Sequence, residues 1–268
     1  MIKANYHTHS TFCDGKDTIE ELCLSAIEQG FSHLGYSGHS YLENADSYAL
    51  NDKKVVDYYN EIHRVMDKYQ GKIDIYCGIE QDCFSKPTFL DFEYKIGSVH
   101  NIKRNGEYLY FDHDLDHTKD VINNGYNGNY LEFAKAYFAT VADVIDMTGA
   151  EIIGHFDLCS KFNERLGNSQ SDEYLEHAEK AVKKLLKTGA IFEINTGAMA
   201  RGYRSSPYPS IEILKMIYNG GGKIILNSDC HNKVNLGYAF DEAIELAKKV
   251  GYTKRSILTK KGFVEIDL

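Results

Sequence analysis

Short apolar, β-rich runs recur along the chain, separated by stretches of helical periodicity. The runs are Ile2 to His7, His33 to Ser37, Ile73 to Glu80, Tyr94 to His100, Glu151 to His155, Ala190 to Asn195 and Lys223 to Ser228. They predict seven strands. Between most of them lie stretches with recognisable helix ends. Asp17 as N-cap with Glu20 three residues on forms a capping box, and Leu22, Ala26 and Ile27 make an apolar stripe before Gly30. A second stripe, Ile211, Leu214 and Ile217, follows Pro209 and stops at Gly220, Gly221 and Gly222. Strand and helix alternating in this way predict parallel strands joined by right-handed crossovers.

No low-complexity linker or internal repeat interrupts the pattern, so one α/β domain over residues 1–268 is expected. The least regular piece is Asn101 to Asn129, where Asp112, His113, Asp114, Asp116 and His117 precede a Gly/Asn-rich tract. It reads as a long loop, either a lid over a site or a surface excursion.

Composition narrows the function. The chain has 268 residues and a formal net charge of −9, with no lysine- or arginine-rich block to track a phosphate backbone. That argues against nucleic-acid binding and for a small-molecule partner. No apolar run approaches the roughly 18 residues of a membrane span, and MIKANYHTHS lacks the basic and apolar regions of a secretion signal. A cytoplasmic protein without membrane contact is expected, and the oligomeric state carries no signal. Six cysteines form no CxxC pair and read as reduced thiols.

Eleven histidines are the unusual feature. His7 and His9 alternate along the first run, so their imidazoles share a face. His39 follows the second run, Glu80 ends the third, His100 the fourth and His155 the fifth, while Asp229 and His231 follow the seventh. In a closed parallel barrel those ends converge on one face, where such enzymes place their sites. Gathering so many imidazoles and acids is costly unless cations or mutual pairing compensate, which favours a metal site.

These residues sit in motifs: His7-Thr8-His9-Ser10 with Asp14-Gly15, Gly38-His39-Ser40, Gly78-Ile79-Glu80, Gly97-Ser98-Val99-His100, Gly154-His155 and Ser228-Asp229-Cys230-His231. The set resembles the PHP (polymerase and histidinol phosphatase) superfamily. Within it, Gly154 to Leu158 and Phe192 to Thr196 resemble the single-domain histidinol-phosphate phosphatases. The resemblance implies a distorted seven-stranded TIM-like (β/α)7 barrel with three divalent ions, Zn, Mn, Fe or Co. His7, His9, Glu80 and Asp229 would hold the first; Glu80 would bridge to a second that also takes His100 and His155; Asp14, His39 and His231 would hold the third. Many members of the superfamily have histidine where this chain carries Asp14.

The implied activity is hydrolysis of L-histidinol phosphate in histidine biosynthesis, with Glu80, Asp229 and His231 at the reacting centre. Ions there would acidify water and neutralise phosphate oxygens, and Asp229 or His231 would assist the leaving oxygen. A phosphomonoester also wants a cationic fork. Arg201, then Arg204 and Lys161, are the candidates, related phosphatases often having arginine at the position of Ser160. Glu43 and Asp82, with Asp112, Asp114, Tyr110 and Phe111, are candidates for the imidazole and ammonium of the substrate. His33, His63 and His177 read as structural or exposed, and His113 and His117 are unassigned. Two other functions compete: a PHP-type enzyme acting on nucleotides or nucleic-acid ends, and a non-catalytic barrel that has lost its ligands. The second is disfavoured because all nine candidate ligands are present.

Overall fold

The computed structural model describes residues 2–42 and 48–268. Its strands are β1 (Ala4–Asn5), β2 (His33–Tyr36), β3 (Asp74–Asp82), β4 (Tyr94–Ser98), β5 (Asn101–Arg104), β6 (Glu107–Tyr110), β7 (Ile152–Ile153), β8 (Ile191–Asn195), β9 (Ile224–Asn227), β10 (Lys254–Thr259) and β11 (Gly262–Asp267). Nine of them form one sheet in the order β1-β2-β3-β4-β7-β8-β9-β10-β11. Every neighbouring pair is parallel except β10 with β11. This is an α/β protein with a mostly parallel sheet. An isolated parallel bridge also joins Thr8, just past β1, to Cys230, just past β9.

Each of the seven anticipated runs coincides with one of these strands, because strands covered on both faces read as unbroken apolar runs, although β3 runs two residues past Glu80 to Asp82. β3 is buried from Ile75 onward. Helices Ile19–Glu28 and Asp52–Lys68 cover one flank through Leu22, Ala26, Val55 and Ile62, packed on Leu34 and Ile75. On the other flank, helices Tyr130–Val141 and Asp172–Leu185 place Phe138 and Val182 against Ile153 and Phe192.

Tyr94 crosses the interior beneath the site. Its hydroxyl donates to the carbonyls of Tyr6 and Tyr36 at 2.5 and 3.1 Å. The ring fits because Gly35 and Gly78 lack side chains: a β-carbon at Gly78 would lie 2.2 Å from it. Closer to the sheet's far edge, Tyr6 donates its hydroxyl to Leu258 O, and Leu258 N–H donates back, both at 2.9 Å, tying β10 to the first strand.

Three expectations change. The first helix starts one residue later: Thr18 is the N-cap and Glu21 completes the capping box, while Asp17 instead accepts the Lys233 N–H at 2.7 Å. The supposed loop from Asn101 is structured, containing the antiparallel hairpin β5–β6, helix Leu115–Asp120 and a π-turn over Val121–Gly125. Ile102, Phe111, Val121 and Ile122 anchor it in the core, which its polar composition hides. The hairpin β10–β11 was not anticipated either. Among the described residues, no helix is long and apolar enough to cross a membrane, and all six cysteines are free thiols.

Candidate metal centre

The parallel strands deliver their C-terminal ends to one place. His7 and His9 leave β1 fully buried. His39, just past β2, pairs by a parallel bridge with Glu80 in β3. His100 follows β4, His155 follows β7, and Asp229 and His231 follow β9.

Glu80 is the hub. Its Oε2 lies 2.8 Å from His39 Nδ1, 3.4 Å from His7 Nε2 and 3.6 Å from His9 Nε2. Its Oε1 lies 3.0 Å from His155 Nε2 and 3.3 Å from His100 Nε2. Asp229 Oδ1 is 3.2 Å from His9 Nε2 and 3.7 Å from His7 Nε2. Asp14 completes the outer side, 3.5 Å from His39 Nε2 and 3.1 Å from His231 Nε2. The His9 ring is stacked between those of His39 and His231, at 4.3 and 4.2 Å. All nine residues singled out in the sequence are thus brought together. They form overlapping groups whose ligand atoms lie within 4.8 Å of one another, among them His9, Asp14, His39 and His231, and His7, His9 and Glu80.

The electrostatics follow from this crowding. Burial pushes the Glu80 carboxyl up, but the imidazoles of His7, His39 and His100 more than reverse it and hold it well below the usual range. Asp229 is likewise lowered, burial being outweighed by Arg201 and His7. Burial, with His231 and His39 nearby, pulls His9 down to about 3, so its ring is neutral. Burial also opposes the charge on His100, yet Glu80 and Asp82 raise it to about 10.

The donor set fits divalent cations. The buried Nε2 atoms of His7 and His9 have no hydrogen-bond partner although carboxylate oxygens stand close by. Such atoms are costly to leave unsatisfied. Imidazole nitrogen with carboxylate oxygen suits Zn, Mn, Fe or Co.

A cavity of about 670 Å³ opens over the cluster. Arg201 and Lys161 line it, with Tyr48, Tyr110, Asp112 and Tyr203. Lys161 Nζ donates to the Asp112 carbonyl and stands 5.2 Å from the Tyr203 ring centre. His113 and His117 sit at the rim, where the Asp114 carboxylate caps helix Leu115–Asp120.

Several candidates lie elsewhere. Arg204 is buried behind the wall, its Nη1 donating to Ser160 Oγ at 2.5 Å and to Asp157 Oδ2 at 3.4 Å, over the Tyr208 ring. Asp82 stands behind His100, accepting its backbone N–H at 3.0 Å and lying 3.1 Å from its Nδ1. Phe111 is core. Glu43 lies outside the described residues. His33 is buried 2.9 Å from the Leu258 carbonyl, and His63 is 2.8 Å from Tyr59 O in its own helix.

Glu193, within the Phe192 to Thr196 motif, has no role that the motif itself assigns. It lies fully buried in β8, 2.7 Å from His7 Nδ1. The available signal was a carboxylate inside an apolar strand, which needs a partner.

Imidazoles and carboxylates at the ends of parallel strands, facing one cavity, define a metal-dependent α/β enzyme. The chain belongs to the PHP domain family, whose model matches residues 5–197. The histidinol-phosphatase of Bacillus subtilis is 22% identical over 91% of this chain and 99% of that protein. The HisK protein of Listeria monocytogenes shares the fold with a TM-score of 0.79 at 20% identity, over 90% of this chain and 99% of the other. The histidinol phosphate phosphatase of Lactococcus lactis, solved with zinc, L-histidinol and phosphate, gives a TM-score of 0.72 at 20% identity, over 98% of both chains.

Proposed function

We propose that this chain is a metal-dependent phosphomonoesterase that hydrolyses L-histidinol phosphate to L-histidinol and phosphate in histidine biosynthesis. The observation that carries this reading is the nine-residue imidazole–carboxylate cluster flooring a cavity that Arg201 and Lys161 line. The names of the curated relatives support the substrate.

His7, His9, Glu80 and Asp229 would hold one ion, Glu80, His100 and His155 a second, and Asp14, His39 and His231 a third. When bound, divalent cations supply the charge that lowers the proton affinity of water and offsets the negative phosphate oxygens. Arg201 and Lys161 grip and orient the phosphate as charge-assisted donors. Asp229 and His231 both line the cavity, and one or the other would assist the leaving alkoxide oxygen.

In the same reading the chain is one domain, and β1 to β4 with β7 to β9 make a distorted seven-stranded barrel. The Thr8–Cys230 bridge supports closure, since His9 N–H donates to Cys230 O at 2.9 Å.

A panel of histidinol phosphate, nucleoside monophosphates and a phosphodiester, assayed with added Mn or Zn, tests the reading. The highest kcat/KM is expected on histidinol phosphate. Preference for a nucleotide or the diester would overturn the substrate and favour the nucleotide-directed alternative.

A further inference from the structure

Glu193 sits on the far side of His7 from the cavity and accepts four hydrogen bonds. Oε1 takes the Asn227 side-chain N–H at 2.9 Å and faces His7 Nδ1 at 2.7 Å. Oε2 takes the Asn195 side-chain N–H and the His155 backbone N–H, both at 2.8 Å. The amide orientations are not arbitrary. Asn227 Oδ1 accepts the Tyr6 N–H at 2.8 Å and Asn195 Oδ1 accepts the Gly197 N–H at 2.9 Å, so each amide must turn its NH2 group toward the carboxylate.

Three of the four partners are therefore obligate donors. A carboxylate so surrounded has no place for a proton, and the fourth partner, His7 Nδ1, must carry one. In the neutral ring, the form that binds an ion, that leaves the lone pair on His7 Nε2, the atom without a hydrogen-bond partner that faces Glu80 and Asp229. With both oxygens occupied, Glu193 is itself no ligand. It joins the ends of β1 and β7 to β8 and β9, and so also sets the position of the chain at His155.

We propose, resting on the reading of the cluster as an ion centre, that Glu193 is the positioning residue that fixes the His7 tautomer and the His155 strand end, and thereby the centre's affinity for its ions. Partners behind a ligating histidine typically govern metal affinity by about 10- to 100-fold. Glu193→Gln replaces one acceptor oxygen by a donor among groups that all donate, so it must break the arrangement.

The test is zinc affinity of the stripped protein by competition with a chromophoric chelator, together with nitrogen and proton NMR of the zinc-loaded, histidine-labelled protein. The wild type should show a protected Nδ1–H on His7. Glu193→Gln should lose that signal and bind zinc about 10- to 100-fold more weakly. A carboxylate serving the fold alone would lower the melting temperature yet leave zinc affinity and the His7 signal unchanged, which would overturn the proposal. If Glu193→Gln does not fold, the wild-type spectrum decides: a His7 protonated on Nε2 overturns the assignment. A wild type that takes up no zinc would overturn the ion-centre reading itself, a distinct result.

Discussion

Arg201 grips Asp229 by side chain and backbone together: Nη2 donates to Oδ2 at 3.1 Å and Nη1 to the carbonyl oxygen at 3.2 Å. Asp229 needs the support, because its φ of 47° places it in the left-handed region that few side chains adopt. The same guanidinium lies 2.9 Å from His231 Nδ1 and faces the cavity.

Arg201→Ala should therefore lower kcat/KM on a phosphomonoester by about 2 to 4 kcal/mol in transition-state stabilisation. Part of that loss comes through a loosened Asp229. Steady-state kinetics under saturating ions, beside Lys161→Ala and the double variant, check it. If neither single variant is impaired, neither side chain holds the phosphate.

Glu80→Gln should fold, since the side chain keeps its volume, but turnover should fall by orders of magnitude. The hub then lacks the charge that draws five imidazoles and offsets bound cations. Elemental analysis should show fewer ions per chain than in wild type. A variant with full loading and near wild-type turnover would remove Glu80 from the centre.

Arg204 should behave oppositely to Arg201. It pairs with Asp157 in the interior, and Arg204→Met leaves that carboxylate buried and unpaired, at about 3 to 5 kcal/mol of stability. Adding Asp157→Leu should restore much of the loss in urea denaturation. A stable Arg204→Met with collapsed turnover would return Arg204 to the phosphate site.

The ion-free protein should hold protons where ions bind. His100 is raised from 6.5 to about 10. A group raised in the folded state stabilises it fully below the unfolded value and loses that contribution as pH climbs through the folded one. Ion binding must displace the proton. Calorimetric zinc titration of stripped protein near pH 8, in buffers of different ionisation enthalpy, should show proton release, with affinity rising as pH increases. Affinity that is flat with pH, without proton release, would take His100 out of the ligand set.

Strand ends and ligands were legible together in the sequence because each parallel strand is an apolar run that stops at a polar residue, as at Gly154-His155 and Ser228-Asp229. What stayed hidden depended on spatial neighbours. Arg201 and Arg204 are three residues apart and chemically alike, yet one faces the cavity and the other meets Asp157. Asp82 reads as a substrate partner until β3 is seen to place it behind His100. The excursion after His100 looked like loop because its apolar anchors, Ile102, Phe111 and Val121, are scattered among polar residues without a period.

That excursion divides the labour of the site. Hairpin β5–β6, the helix after it and the link between them give the cavity Tyr110, Asp112, His113 and His117, but none of the nine clustered residues. Ligand cluster and this stretch of wall are thus separately heritable: sequence drift between residues 101 and 125 can reshape the cavity while the nine clustered residues are passed on unchanged.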